Sequence, residues 1–458
     1  MQLLSSERPE RSLFWTAPAS TDSELVTEDP LGLDYIAQQV GLLLLPTFTT
    51  RSTRAQAFAM VLYGLALADR AIDHYGLPAT DEERRMRFES WERFWALATL
   101  EYRRELPRGD WDTMRGIRGV KSVWKATGEQ LPIRFKMISR QQELGHLGAY
   151  LVPLRRAGLV ADGTLRPTPA AHEIIEHFWD ERRDRDHVGR YDDFALAALD
   201  PARSLLERKY GGLTLSTIGE RSRLLSLIER KRSQQQRRLD AALFRRRVDP
   251  STQRVAEVVE HATLQQIVAS KAVLDAAIDG RLGVLEPSLL ELFVTARAFG
   301  DFMQQVVNAF DRVYDRVSSS SWVIDSSKVA SEVFNQRTRK ALASASSRLL
   351  DAPRVSDIRR LPAHGAACLQ LATQLFDADG PRALQLLLDY HNAVQKERRR
   401  GFGWLREDGS KLVLAVDSYT AYPNVHRFPS FKLDVVRTLL TDLGRLPFNH
   451  ATAQGESA

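Results

Sequence analysis

"LVPLRRAGLVADGTLRPTPAAHEI", Leu151 to Ile174, is the stretch on which the fold turns. Leu147, Leu151 and Leu154 recur at helical spacing and can form the back of a helix resting on a small core. Arg155 and Arg156 project from its last turn. Gly158 stands where a helix ends in a residue of positive φ. "LV" then starts a strand, "ADGT" reverses it, and "LRP" returns it with Arg166 on the hairpin. Thr168 suits an N-cap and Pro169 a first helical position. Pro153 removes a backbone donor inside the first helix and predicts a kink. Upstream, "LPIRFKMISRQQ" supplies an earlier helix carrying Arg134, Lys136 and Arg140. Helix, hairpin, helix is the order of a winged-helix module. A recognition helix offers Arg, Lys, Asn or Gln to the major groove, so these arginines and the lysine are candidate DNA contacts. Winged helices also dock proteins, and an arginine pair at a helix C-terminus also suits the helix dipole.

The chain around this stretch has 458 residues, too many for one ordinary core. Its 43% hydrophobic and 27% charged content suits a globular protein with sizeable buried cores. Sixty-four Lys+Arg against 58 Asp+Glu give a formal net charge of +6. That mixed surface permits a nucleic-acid partner without requiring one. The single cysteine, Cys368, excludes an intrachain disulfide and a cysteine-built zinc site, and fits a reducing compartment. "VGLLLLP" near the N-terminus is far too short to span a bilayer and lacks the flanks of a signal peptide. The expectation is a cytoplasmic protein without a membrane partner, a metal or another cofactor.

Helical periodicity dominates, and the expected fold class is mainly α. Residues 1–28 form a polar leader. An N-terminal helical domain follows over 29–110, where "AQAFAMVLYGLALADRAIDHYG" is apolar on most sides and Trp91, Phe94 and Trp95 share one face of the next helix. The winged-helix-like module occupies 111–182. A central helical domain occupies 183–317, with helices over Leu213–Val248, Val255–Ala277 and Pro287–Val317. The Ser-rich "SSSSWVIDSSK" marks a boundary at 318. A C-terminal helical domain over 318–446 carries a β-hairpin turning at Asp408-Gly409, followed by an amphipathic helix in "FKLDVVRTLLTDLG". Residues 447–458 read as a disordered tail.

Three patches carry a family resemblance. "DPLGLDYIAQQVGLLLLPTFTTRSTRAQAFAMVLYGL" (Asp29 to Leu65) resembles the opening of uncharacterised bacterial proteins of antiphage defence islands. "AYLVPLRRAGLV…LRPTP" resembles their winged-helix segment, and "HRFPSFKLDVVRTLLTDLG" their closing segment. These patches cover about a quarter of the chain and hold helix and turn signatures, not catalytic ones. The resemblance implies a non-catalytic subunit of a defence complex, encoded beside a helicase, nuclease or ATPase. It assigns no active-site residue.

Other constellations offer rival chemistry. Arg182 and His187 in "RRDRDH" have the R-x4-H spacing of helical ribonucleases, where His moves a proton and Arg steadies a phosphate. The same residues also suit a solvated charged loop. Asp69 and Asp73 lie four apart beside His74, two carboxylates and an imidazole that would need a third ligand to hold a metal. "ERKRSQQQRRLDAALFRRR" (Glu229 to Arg247) includes Arg237 and Arg238 and can lie along phosphates or form a solvated face. "KERRRGFGW" (Lys396 to Trp404) adds Phe402 and Trp404, which suits base stacking or a protein hot spot. Asp325 with Lys328 is a fragment of a nuclease pattern without its upstream acid. No phosphate-binding loop, dinucleotide fingerprint or zinc-protease motif occurs. Three functions therefore stand: a defence-complex subunit binding DNA, a protein or both; a helical ribonuclease; a scaffold.

Overall fold

The computed structural model describes residues 29–103, 119, 122, 137–179, 192–193, 195–201, 234–245, 249–398, 403–417, 419–423, 425 and 427–447. In chain order its elements begin with α1 (Leu33–Leu44), α2 (Ala55–Tyr75), α3 (Asp81–Arg103), α4 (Gln141–Leu144), α5 (His146–Arg156) and α6 (His172–Glu176). Next come α7 (Gln234–Asp240), α8 (Pro250–Leu264), α9 (Ser270–Ile278), α10 (Pro287–Ser318), β1 (Val323–Asp325), α11 (Ser326–Val333) and α12 (Gln336–Leu350). The chain closes with α13 (Val355–Arg359), α14 (Gly365–Leu375), α15 (Gly380–Glu397), β2 (Leu405–Asp408), β3 (Lys411–Leu414) and α16 (Leu433–Asp442). The protein is mainly helical, as its periodicity predicts.

The chain folds into two compact units, each discontinuous in sequence. Unit 1 joins residues up to Leu44 with Ile267–Phe431, and unit 2 joins Leu45–Gln266 with the chain from Lys432 onward. These divisions cut through the segments 29–110, 183–317 and 318–446. The cause is packing. The apolar face of α1 lies on α10, in unit 1, while α16 lies on α8, in unit 2. The expected continuous helix over Val255–Ala277 is interrupted between α8 and α9, where Gln266 takes φ 62°. The chain passes from unit 2 to unit 1 at that residue.

Unit 1 is organised on α10, 32 residues long, which starts with Pro287 in its first turn. Phe293, Phe299, Phe302 and Phe310 on it are fully buried, each stabilising the core by about 1.5–3 kcal/mol relative to exposure. Asp311, also buried on α10, accepts hydrogen bonds from the Tyr419 hydroxyl at 2.6 Å and the Tyr422 N–H at 3.1 Å, so its polarity is satisfied internally. The predicted hairpin is present, with Gly409 supplying φ 60° at the turn. It gains a third strand that the sequence does not announce: the sheet order is β1-β3-β2, all antiparallel, with Val323 opposite Val413. The Ser-rich stretch is therefore no domain boundary, because its Val323–Asp325 pairs with a strand of the same unit.

Unit 2 is organised on α2, buried on nearly every side. By length and composition α2 could cross a membrane, yet 78% of its apolar window is buried inside the protein, as in a core helix. Trp91, Phe94 and Trp95 of α3 pack as predicted, and the Trp91 indole N–H donates to the Met60 carbonyl at 3.0 Å. Gly64 of α2 lets this happen, since a Cβ there would collide with the Trp91 ring.

Candidate functional site

The corner that leads into the helix–hairpin segment is held by one buried carboxylate. Glu92 of α3, 2% exposed, accepts from the His146 N–H at 2.6 Å and the Gln141 side chain at 2.8 Å, and its Oε1 lies 2.8 Å from His146 Nδ1. Burial pushes its pKa up, but the hydrogen bonds and charge of His146 with the Gln141 amide outweigh burial and hold it below the usual carboxylate range. Glu92 thereby fixes the α4–α5 corner. Leu147, Tyr150 and Leu154 of α5 are buried, whereas Leu151 is half-buried. Pro153 leaves the Ala149 carbonyl without its helical donor, and the Thr49 hydroxyl donates to that carbonyl at 3.4 Å.

The reversal after α5 is a short antiparallel hairpin. Gly158 takes φ 69° as predicted. Val160 bridges Pro167, and the Ala161 and Thr168 N–H groups donate across to Arg166 and Leu159. Two expectations are corrected here. Thr168 makes no cap; its hydroxyl donates to the Gly158 carbonyl at 2.6 Å and ties the base of the hairpin. Arg155 does not project: it is half-buried and donates to the Thr164 carbonyl at 2.6 Å. It staples helix to hairpin.

Arg156 is exposed and donates to the Pro46 carbonyl at 2.6 Å. The neighbouring Phe48 carbonyl accepts from Lys432 at 2.8 Å. Lys432 is 2% exposed, and burial with the nearby Arg156 charge lowers its pKa to about 7. Arg166 is exposed on the hairpin, and Arg140 is exposed in an ion pair with Glu143 at 3.2 Å. Arg134, Lys136, Arg182 and His187 lie outside the described residues.

The dense basic run is no freely solvated face where it is described. Gln235, Gln236, Leu239 and Asp240 of α7 are buried, and a π-helical turn follows over Ala241–Arg245. Asp240 is paired with Arg245 and Arg445. Gln235 and Arg238 donate to the Ile174 and Glu173 carbonyls of α6 at 3.3 and 2.9 Å. These bonds set α7 against the helix–hairpin segment and leave a cleft of about 710 Å³ between them. Ala157, Leu159, Ala170, Ile174, Ala241 and Ala242 line it together with Gln234, Arg237, Arg238 and Glu173, so its open surface is about equally apolar and polar. Arg237 is exposed and Arg238 half-buried. The volume and the mixed lining can seat a partner's side chains, apolar and charged alike. Sequence reasoning found both walls without joining them.

The remaining constellations are absorbed by structure. Asp69 accepts from Arg84 at 2.6 Å, and among the described residues no three His, Cys, Asp or Glu side chains gather as metal ligands. Asp325 caps α11 by accepting from the Ser327 N–H at 2.9 Å. Trp404 is 3% exposed, packed against Phe310, Tyr314, His391 and Tyr419, so it is not available for base stacking. Phe402 lies outside the described residues. Comparison with protein-family models, curated proteins and solved structures finds no match to this chain.

Proposed function

We propose that this chain is a non-catalytic subunit of a bacterial antiphage defence assembly, and that it docks a partner protein in the cleft between α7 and the helix–hairpin segment. The defence setting rests on the resemblance of Asp29–Leu65 and the two later patches. The docking reading rests on the cleft. A mixed lining of small apolar residues with Arg237 and Arg238 against the single Glu173 suits a partner segment that presents a small apolar side chain beside a carboxylate. A π-helical turn, which supplies Ala241 and Ala242 to the wall, is a frequent companion of functional sites. The stapling of Arg155 onto Thr164 weighs against a recognition helix that reads bases, and so favours protein over DNA at this module. Through the cleft the subunit would recruit or regulate a separately encoded helicase, nuclease or ATPase.

The test is co-elution of the purified chain with the enzyme encoded beside its gene. Ala170→Trp, which fills the cleft from an exposed position, and Arg237→Glu are each expected to abolish co-elution while leaving the thermal melt in place. Co-elution unchanged by both substitutions would refute docking at the cleft. The rival ribonuclease reading is met by incubating labelled RNA with the wild type and His187→Ala: cleavage lost in the variant would replace the non-catalytic assignment.

A further inference from the structure

α12, in unit 1, reads "QRTRKALASASSRLL": four cations and no acid. Its buried face is Leu342, Ala345, Ser346 and Leu349. On the opposite side Arg337, Lys340, Ser344 and Arg348 are all exposed. Steps of three, four and four residues keep these side chains within roughly 80° of one another and string them over about 16 Å of helix. Among the described residues, Arg337 and Lys340 make no hydrogen bond or ion pair.

Arg348 extends the stripe into a larger positive cluster. Its guanidinium donates to the Ser344 hydroxyl at 2.7 Å and lies 3.3 Å from Asp301 Oδ2. Asp301 is already bound by Lys271 at 3.0 Å and by Arg297, and Arg297 also reaches Asp275. Burial alone would raise the Asp301 carboxyl, but the bonds from Arg297 and Lys271 hold it below its ordinary value, as a full anion. Three cations share two carboxylates there, and Arg348 remains 53% exposed. The acids flanking the stripe are engaged: Glu332 by Arg316, and Asp351 by the Ser347 hydroxyl.

The positions of these cations run against helix stability. Arg337 and Arg339 stand at the start of the helix and Lys340 just beyond it, with no acid in the first turn, where the positive end of the helix dipole disfavours cations. A line of anions would reverse that cost. We propose that α12 is a nucleic-acid-binding helix, with Arg337, Lys340 and Arg348 on backbone phosphates of a duplex and the Ser344 hydroxyl between the last two as a further phosphate donor. Arginine, lysine and hydroxyl side chains are those that contact a sugar–phosphate backbone. An anionic membrane is disfavoured because no large apolar side chain of α12 is exposed, as an interfacial helix requires. A protein partner is disfavoured because the stripe has no aromatic or aliphatic anchor. Binding of this kind is independent of base sequence and steep in salt.

The test is fluorescence anisotropy of the full-length chain with a labelled DNA duplex, repeated from about 50 to 200 mM salt. Each phosphate contact adds about 0.9 to the slope of log affinity against log salt. Arg337→Ala with Lys340→Ala is therefore expected to weaken binding at every sequence tried and to cut the slope by about two. Arg337→Lys with Lys340→Arg is expected to restore it. Filling the α7 cleft with Ala170→Trp is expected to leave the slope alone. A wild-type slope in the double alanine variant would overturn the proposal. So would failure of the wild type to bind duplex at the lowest salt, or binding to anionic vesicles instead of duplex that the same alanines abolish.

Discussion

Arg155 and Arg156 at the end of α5, and Arg337 and Lys340 on α12, are two pairs of cations on two helices with opposite fates. The first pair sits in a motif-like setting, beside a Gly stop and a hairpin, and the fold spends it on backbone carbonyls of Thr164 and Pro46. The second sits in a plain amphipathic helix, exposed and unbonded among the described residues. A cation beside loop and turn carbonyls meets acceptors that no regular ladder satisfies, and bonding them is worth more than waiting for a partner. A cation on the open side of a regular helix meets no such demand. At these two places the chain reversal engages its arginines, and the open side of α12 leaves its cations available.

Stability measurements can break this contrast. The largest effect is expected for Glu92→Ala, which takes away the carboxylate holding the α4–α5 corner. Loss of about 3–5 kcal/mol in denaturant unfolding is expected. The same carboxylate makes the corner acid-sensitive. Its folded pKa lies below the ordinary value of about 4.3, so its stabilisation is complete above that pH and drains away as pH falls through the folded value. A wild-type chain whose acid unfolding is no steeper than that of Glu92→Ala would refute this linkage. Arg155→Ala is expected next, costing about 1.5–3 kcal/mol and raising amide exchange across Ala161–Thr168. A loss within experimental error would mean that the guanidinium is free after all, and would return it to the candidate DNA contacts. Arg156→Ala, at an exposed site, should cost less than about 1 kcal/mol. The smallest change is expected for Arg337→Ala with Lys340→Ala: unchanged stability or a gain of a few tenths of a kcal/mol from relief of the helix dipole, seen as a level or raised melting temperature. Clear destabilisation there would show that these cations serve the fold.

Periodicity made most of the helices legible, because an apolar stripe must be buried wherever it ends up. The limits of α1 and α10, the buried α2, the Gly158 stop and the Asp408-Gly409 turn all follow from local residues. Assignment of helices to units was not legible, since α1 and α16 each pack with partners more than a hundred residues away in sequence. β1 was hidden for a related reason: three residues have no periodicity to speak of, and their pairing is with Lys411–Val413. At the candidate site, the arginines of both walls could be named but not their hydrogen bonds, which depend on which carbonyl lies within reach. The α12 stripe was readable in principle. Four cations without an acid over fifteen residues is an unusual composition, but it escapes a search that looks for motifs.

The discontinuity of unit 1 sets a timetable during synthesis. The ribosome releases α1 long before it reaches α10, the helix whose surface α1 covers. At 5–20 residues per second the delay is roughly ten to fifty seconds. Throughout it Ile36, Val40 and Leu44, all buried in the finished protein, have no native surface to join. Truncations that stop short of α10 should therefore leave this segment sticky rather than folded.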